Sequence, residues 1–328
     1  MRFIARLLAA AALGIGFLTG EAGSTELRVL ASWDNSHPAR RILLQTYLKN
    51  VEAASKGDLT FSISGPETVP PFEQLQPTGS GVFQLLFTHS AYHIGTTPFL
   101  NPIDALHGDS RRVRESGIYD LIDRHYAKFG LKLVFLVKPQ EDTGFQIILR
   151  QPIGPSGDLQ GRKIRGTQTY SGVLSLLHAA PVVLPPGEIY SALEKGVVDG
   201  TAWAAVGVLD YKWNEVAKYI MRPKFGSSSY FLLVNLKAWN GLTDGQRAIL
   251  TEEARKIQEF WDPEWLRLVK AEEDALIAQG AQFTDVGPAL KDKISLIFEQ
   301  ALWELAGKTD PTAIAELRAF TRSHGLSD

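Results

Sequence analysis

Short apolar runs alternate with amphipathic stretches along this chain, and no other feature narrows its possible folds as much. Residues 27–31 read as a strand, and 38–54 as a helix whose apolar side carries Ile42, Leu43, Tyr47 and Val51. Residues 59–64, 82–88 and 131–137 continue the strand series, the last two as nearly unbroken apolar runs suited to burial on both faces of a sheet. A helix is expected over 111–128, closed by Gly130. The second half repeats the rhythm, with strands over 145–149, 163–166, 182–184, 197–202 and 230–235. Helices are expected over 170–179 and 187–195, the second ended by Gly196 in the left-handed conformation. Thr243 opens a long amphipathic helix reaching about residue 279, which Pro263 bends or splits. Helices over about 288–306 and 311–322 finish the chain. This alternation predicts an α/β fold with parallel or mixed sheets. The 328 residues suffice for two lobes of about 150 residues each. The lack of a Gly/Ser-rich linker predicts that the chain crosses between them more than once.

Residues 1–23 stand apart from this pattern. Arg2 and Arg6 precede an uncharged apolar run from Leu7 to Leu18, and small residues gather around Ala22 and Gly23. This is the pattern of a secretory signal peptide. The run is too short for a membrane-spanning helix, which needs about 20 apolar residues. Composition removes several classes of function. There is no cysteine, and hence no disulfide scaffold, thiolate metal site or cysteine nucleophile. Lys and Arg total 34 against 36 Asp and Glu, a net charge of −2, so no basic field is present to hold a nucleic acid.

The distribution of charge is more informative than its total. After Arg165, residues 166–187 contain no Asp, Glu, Lys or Arg, and residues 74–103 form a second uncharged stretch that includes Thr88, His89, Ser90, Tyr92 and His93. An arginine at a strand end among neutral donors suits a carboxylate ligand, because the guanidinium fork matches two carboxylate oxygens. The competing reading pairs Arg165 with a distant carboxylate such as Glu188 or Asp199. His89 and His93 have a spacing that can place two imidazoles on one helix face, but Ser90 follows His89 and no third ligand is evident, so hydrogen-bonding or core histidines are favoured. Trp33, Trp203 and Trp213 suit either a pocket wall or the core. Glu188 begins its helix, where capping competes with binding. No nucleophile elbow, phosphate-binding glycine loop or close carboxylate pair is present to support catalysis.

Asp158-Leu-Gln-Gly-Arg-Lys-Ile-Arg165, then Glu188-Ile-Tyr-Ser-Ala-Leu193, then Gly196-Val-Val-Asp-Gly200, in that order, resemble the periplasmic solute-binding subunit of tripartite ATP-independent periplasmic (TRAP) transporters, of the C4-dicarboxylate-binding type. The similarity extends to residues 32–38 and 87–90 and into the long helix. The resemblance implies a two-lobed periplasmic-binding-protein fold, with mixed sheets flanked by helices and lobes joined by strands and a long helix. It implies a periplasmic monomer, neither an enzyme nor a holder of cofactor or metal, that closes on a small organic acid and delivers it to small and large membrane subunits. Arg165 matches the carboxylate clamp of the family. Gln168 and Trp203 fall at further ligand-contact positions, His89 at a pocket position, Trp33 on the first binding loop and Pro186 at a position that is aromatic in some relatives. Thr88 and Tyr170 complete the expected contacts, with Glu188 a further candidate. Sialic-acid-type members carry a second arginine on the preceding strand, and residues 141–146 have none, which argues against a sialic acid ligand.

The expected division is a first lobe of residues 24–146 plus about 228–267 and a second of 147–227 plus about 268–328. Two rival functions accommodate the same shape: an exported hydrolase or lyase using His89 or His93 as base, and a soluble ligand sensor for a receptor.

Overall fold

The computed structural model describes residues 24–328; the signal-peptide segment 1–23 lies outside the described residues. In chain order the strands are β1 Thr25–Ala31, β2 Leu59–Ser64, β3 Leu85–Thr88, β4 Leu131–Val137, β5 Phe145–Leu149, β6 Lys163–Arg165, β7 Ala180–Val182, β8 Gly200–Ala204, β9 Tyr219–Arg222, β10 Tyr230–Asn235 and β11 Gln282–Asp285. They form two sheets, ordered β2-β1-β3-β10-β4 and β11-β9-β5-β8-β6-β7. Both are mixed: β1 runs parallel to β2 and β3, β10 antiparallel to β3 and β4, and β5 antiparallel to β8 and β9. Pro181 sits in β7, an edge strand, where a missing N–H breaks no ladder bond.

The chain passes between the sheets after β4, again between β9 and β10, and a third time along the helix Asp244–Ala278 into β11. That helix starts at Thr243 with a reciprocal capping box to Gln246, and Pro263 lies inside a single continuous helix. Trp261 and Trp265 flank the proline and are fully buried, each with its ring 6.0 Å from Tyr230, so the second and third crossings pack together.

Several local expectations change: the strand expected over 182–184 is β7 at 180–182, and the helix expected over about 288–306 is two, Pro288–Lys291 and Ile294–Thr309. The helix expected over 111–128 is two, Ser110–Glu115 and Ile118–Ala127, because Gly117 adopts φ +83 between them. The strand expected over 197–202 is β8, shifted to 200–204, which places Trp203 inside the sheet. The C-terminal helices are shared between the lobes. Ile294, Phe298 and Leu302 pack with Phe145 and Val173, whereas Trp303, Ile314, Leu317 and Leu326 pack with Leu121, Ile122 and Leu133. One helix, Ile294–Thr309, thus presents different faces to the two lobes, so 268–328 does not pack with the second lobe alone.

Candidate functional site

Arg165 closes β6 with its neighbours set by the sheet. Ile164, on the opposite face, enters the second-lobe core, and Arg165 lies in register with Thr201 of β8 and Val182 of β7. Its side chain is 1% exposed. Nε and Nη2 donate to the Leu184 carbonyl at 2.9 and 2.7 Å, and Nη1 to the Ala202 carbonyl at 3.3 Å. Three of the five guanidinium N–H groups are thereby used, and the Tyr92 hydroxyl is a further partner within reach of the guanidinium. No carboxylate among the described residues pairs with it. Asp199 Oδ2 accepts instead from the Lys163 N–H at 2.8 Å, and Glu188 is exposed. Burial lowers the Arg165 pKa from its usual value, but arginine keeps its proton in proteins. A cation is therefore held in the interior by carbonyl dipoles, without an opposite charge. That arrangement is costly until an anion arrives.

The guanidinium faces a cavity of about 30 Å³ between the lobes, room for about two or three water-sized groups, so an organic acid is admitted only when the lobes part and the cleft re-forms around it. The first lobe supplies Trp33, His37, His89 and Tyr92, and the second supplies Phe145, Thr167, Tyr170 and Trp203; Ser228 and Tyr230 come from the crossing between β9 and β10. The walls are aromatic and tightly packed. Trp33 lies 4.8 Å from His37, 5.6 Å from Tyr92 and 5.4 Å from Tyr230, and Phe145 meets Tyr170 edge-on at 5.2 Å. Trp203 bears its ring against Arg165, with the guanidinium carbon 5.2 Å from the ring centre. Burial holds Tyr92 up at about 12 and Tyr170 well above its usual value, so both are neutral donors.

The histidines here are held in place by hydrogen bonds. His89 Nδ1 accepts the Ala91 N–H at 3.0 Å and Nε2 lies 3.0 Å from Asp104, so it presents a ring edge rather than a free nitrogen to the cavity. His93 Nε2 bonds Thr88 at 2.7 Å, and burial lowers its pKa to about 3. His37 Nδ1 accepts the Ala39 N–H at 3.1 Å; burial first, then Arg41 and His89, lower its pKa to about 3.

Two features lie outside the cleft. Ligating atoms of His107, Glu299 and Asp328 come within 4.8 Å of one another, at half-buried to exposed positions where such groups also gather without an ion. A wide, open groove of about 710 Å³ at Asp109, Arg112, Glu141 and His324 has exposed or half-exposed charges.

Residues 48–307 match the family model described as bacterial extracellular solute-binding protein, family 7 (DctP). The chain belongs to this family. Members are solute-binding proteins, not enzymes. Among the relatives of this DctP-family chain, a monocarboxylate 2-oxoacid-binding periplasmic protein of Nostoc sp. is 29% identical over 229 residues, 66% of this chain. The C4-dicarboxylate-binding periplasmic protein of Rhodobacter capsulatus is 34% identical over 104 residues, 31% of this chain. These matches span 61% and 31% of the relatives' own lengths. In fold, the chain resembles a TRAP transporter solute-binding protein from Bordetella bronchiseptica, crystallised with calcium and picolinate, at a TM-score of 0.80 and 22% identity over 92% of each chain. A Bordetella pertussis solute receptor with pyroglutamic acid matches at 0.75 and 18% identity over 91% of this chain and 100% of its own.

Of the residues singled out from the sequence of this DctP-family protein, Arg165, Trp203, Trp33, His89 and Tyr170 line the cavity. Thr88 does not; it is buried behind the wall, with Oγ1 taken up by Ser32 and His93. Gln168 opens the turn Gln168–Tyr170 with its side chain exposed, at an adjoining surface pocket with Phe72 and Val183. Pro186 is buried in the turn Pro186–Glu188 and Glu188 is exposed beside it; neither reaches the cavity. Tyr92, named in the uncharged stretch 74–103, also lines the cavity, whereas the sequence offers no reading of His37, Phe145, Thr167, Ser228 or Tyr230 as contacts. The charge-free stretches contain Tyr92 and Thr167, but nothing local marks Ser228 or Tyr230.

Proposed function

We propose that the protein captures a small organic acid anion in the cleft between its lobes, in the periplasm, and delivers it as a monomer to the small and large membrane subunits of a TRAP transporter. The observation that carries this reading is Arg165, a fully buried cation held by neutral oxygens, with no carboxylate partner among the described residues. The names of relatives support it. The Nostoc protein is named for 2-oxoacids, and solved neighbours contain picolinate, pyroglutamic acid or malonate, all of which carry a carboxyl group. In this reading Arg165 clamps the carboxylate, and Trp33, His89, Tyr170 and Trp203 shape the space around it. Thr88 works from behind by holding His93, while Gln168, Pro186 and Glu188 shape the rim. The two sheets move as rigid bodies about the crossing segments, with residues 303–328 travelling with the first lobe.

Titration calorimetry with organic acids, from monocarboxylates and dicarboxylates to hydroxy, keto and uronic acids, tests this. Losing one partner of a desolvated charge pair costs about 2–5 kcal/mol, so Arg165→Ala should weaken the best-bound acid by roughly thirtyfold to several thousandfold. Equal affinity of the variant and the parent removes Arg165 from the role.

A further inference from the structure

The charges around the cavity do not allow for two carboxylates. Arg165 is the one permanently charged residue in the lining, and none of the lining residues is Asp or Glu. The nearest buried carboxylate, Asp104, stands behind His89 and is already engaged by the Ser229 N–H and hydroxyl at 3.0 and 2.6 Å. The nearest buried lysine, Lys138, lies in the field of Asp104 and donates to the Gly108 carbonyl at 2.7 Å, outside the lining. One anionic group therefore neutralises the site. A second would be buried beside Asp104 with no cation, and with no carboxylate in the lining to hold a metal ion that could offset it.

What the cavity offers beyond Arg165 is donors. His37 is 1% exposed and lines the cavity from the lobe opposite Arg165. Because its Nδ1 accepts the Ala39 N–H, the ring proton of the neutral imidazole sits on Nε2. No acceptor among the described residues meets that N–H. The indole N–H of Trp203, whose ring lies 5.8 Å from that of His37, is buried without a partner, and so is the Thr167 hydroxyl. Buried donors are rarely left unpaired, and a site built around them rejects a ligand that cannot accept.

We propose that the cavity is built for a monocarboxylate carrying a neutral acceptor oxygen beside its carboxyl group, and that His37 reads this oxygen through its Nε2–H. The inference rests on Arg165 being the carboxylate clamp and adds the charge and shape of the rest of the ligand. The ligand spans the two lobes, with its anion on Arg165 and its neutral oxygen on His37. Both contacts are made only when the cleft is closed.

The test is calorimetry at neutral pH with pyruvate, lactate, 2-oxobutyrate and 2-hydroxybutyrate, their counterparts propionate and butyrate, and the dianions malonate and succinate. The expected result is binding of at least one 2-oxygenated monocarboxylate roughly tenfold to a hundredfold more tightly than its counterpart lacking that oxygen, with the dianions weaker still. His37→Asn keeps an acceptor for the Ala39 N–H but is too short to reach the ligand. It should bring the affinity ratio of the oxygenated acid to its counterpart close to one. Equal weakening of both, with the ratio intact, assigns His37 a structural role and overturns its part. A dianion bound more tightly than every monocarboxylate, and lost in Arg165→Ala, overturns the charge inference while keeping the clamp. Failure of every acid in this and the wider series overturns both readings.

Discussion

Arg41 of the first lobe and Asp210, in the loop after Trp203, form an ion pair across the rim of the cleft, with Nη1 2.8 Å from Oδ1. The same guanidinium nitrogen donates to the Ser36 carbonyl at 3.0 Å, tying the pair to the turn that carries His37. With side chains 39% and 26% exposed, solvent screening limits its strength to about 0.5 kcal/mol. Arg41→Ala or Asp210→Ala should therefore raise the ligand dissociation rate about two- to threefold, and the difference should shrink as salt is added. Stopped-flow tryptophan fluorescence, with Trp33 and Trp203 in the cavity wall, reads this directly; a change beyond tenfold would mean that the pair does more than latch the rim.

Arg165→Lys retains the charge but not the geometry. Lysine has three N–H donors on one atom and cannot serve the carbonyls of Leu184 and Ala202 while also presenting a fork to a carboxylate. Calorimetry should show affinity reduced at least about tenfold, with melting of the ligand-free protein lowered by the unsatisfied carbonyls.

Glu272 of the long helix is buried and accepts the N–H groups of Gly207, Val208 and Leu209, the loop leading to Asp210. Burial outweighs these bonds and lifts its pKa to about 7 from 4.5. The folded state then binds a proton that the unfolded state has released between about pH 4.5 and 7. The contribution of this group to stability is greatest at the acidic end and declines as pH rises through that window. Asp262, raised to about 6 chiefly by burial, acts in the same direction. Buried His37 and His93, lowered to about 3, act in the opposite direction below about pH 6.5, so Glu272 is read by difference: the melting temperature of Glu272→Gln relative to the parent should rise between pH 5 and 7.5, and a constant difference would remove Glu272 from this role.

Gly207 holds φ +99, and a Cβ there would lie 3.3 Å from the Trp203 indole nitrogen and 3.5 Å from Pro38. Gly207→Ala should cost about 1–2 kcal/mol of stability from backbone strain, measurable by urea unfolding. It should also lower ligand affinity, because the new methyl presses where the two lobes meet beside His37.

Local chemistry made much of the architecture readable from the sequence. Residues 131–137, 145–149 and 230–235 read as strands with the bounds observed, because a largely apolar run between turn residues has few other ways to be buried, and 59–64 does so by alternating apolar and polar residues. Thr243 and Gln246 declared the start of the long helix through their own hydrogen bonds. Arg165 stands out because the 22 residues after it hold no opposite charge, and no carboxylate among the described residues pairs with it in the fold. The tertiary structure decided what surrounds that arginine. The Leu184 and Ala202 carbonyls, the His37 N–H and the ring of Tyr230 come from segments 19 to 37 residues away or from the other lobe. It also decided that one C-terminal helix is shared by both lobes and that Gln168 faces outward. Periodicity and capping act over a few residues and are written in composition. Convergence in a cleft depends on strand order and crossings between lobes, which no local stretch of sequence encodes.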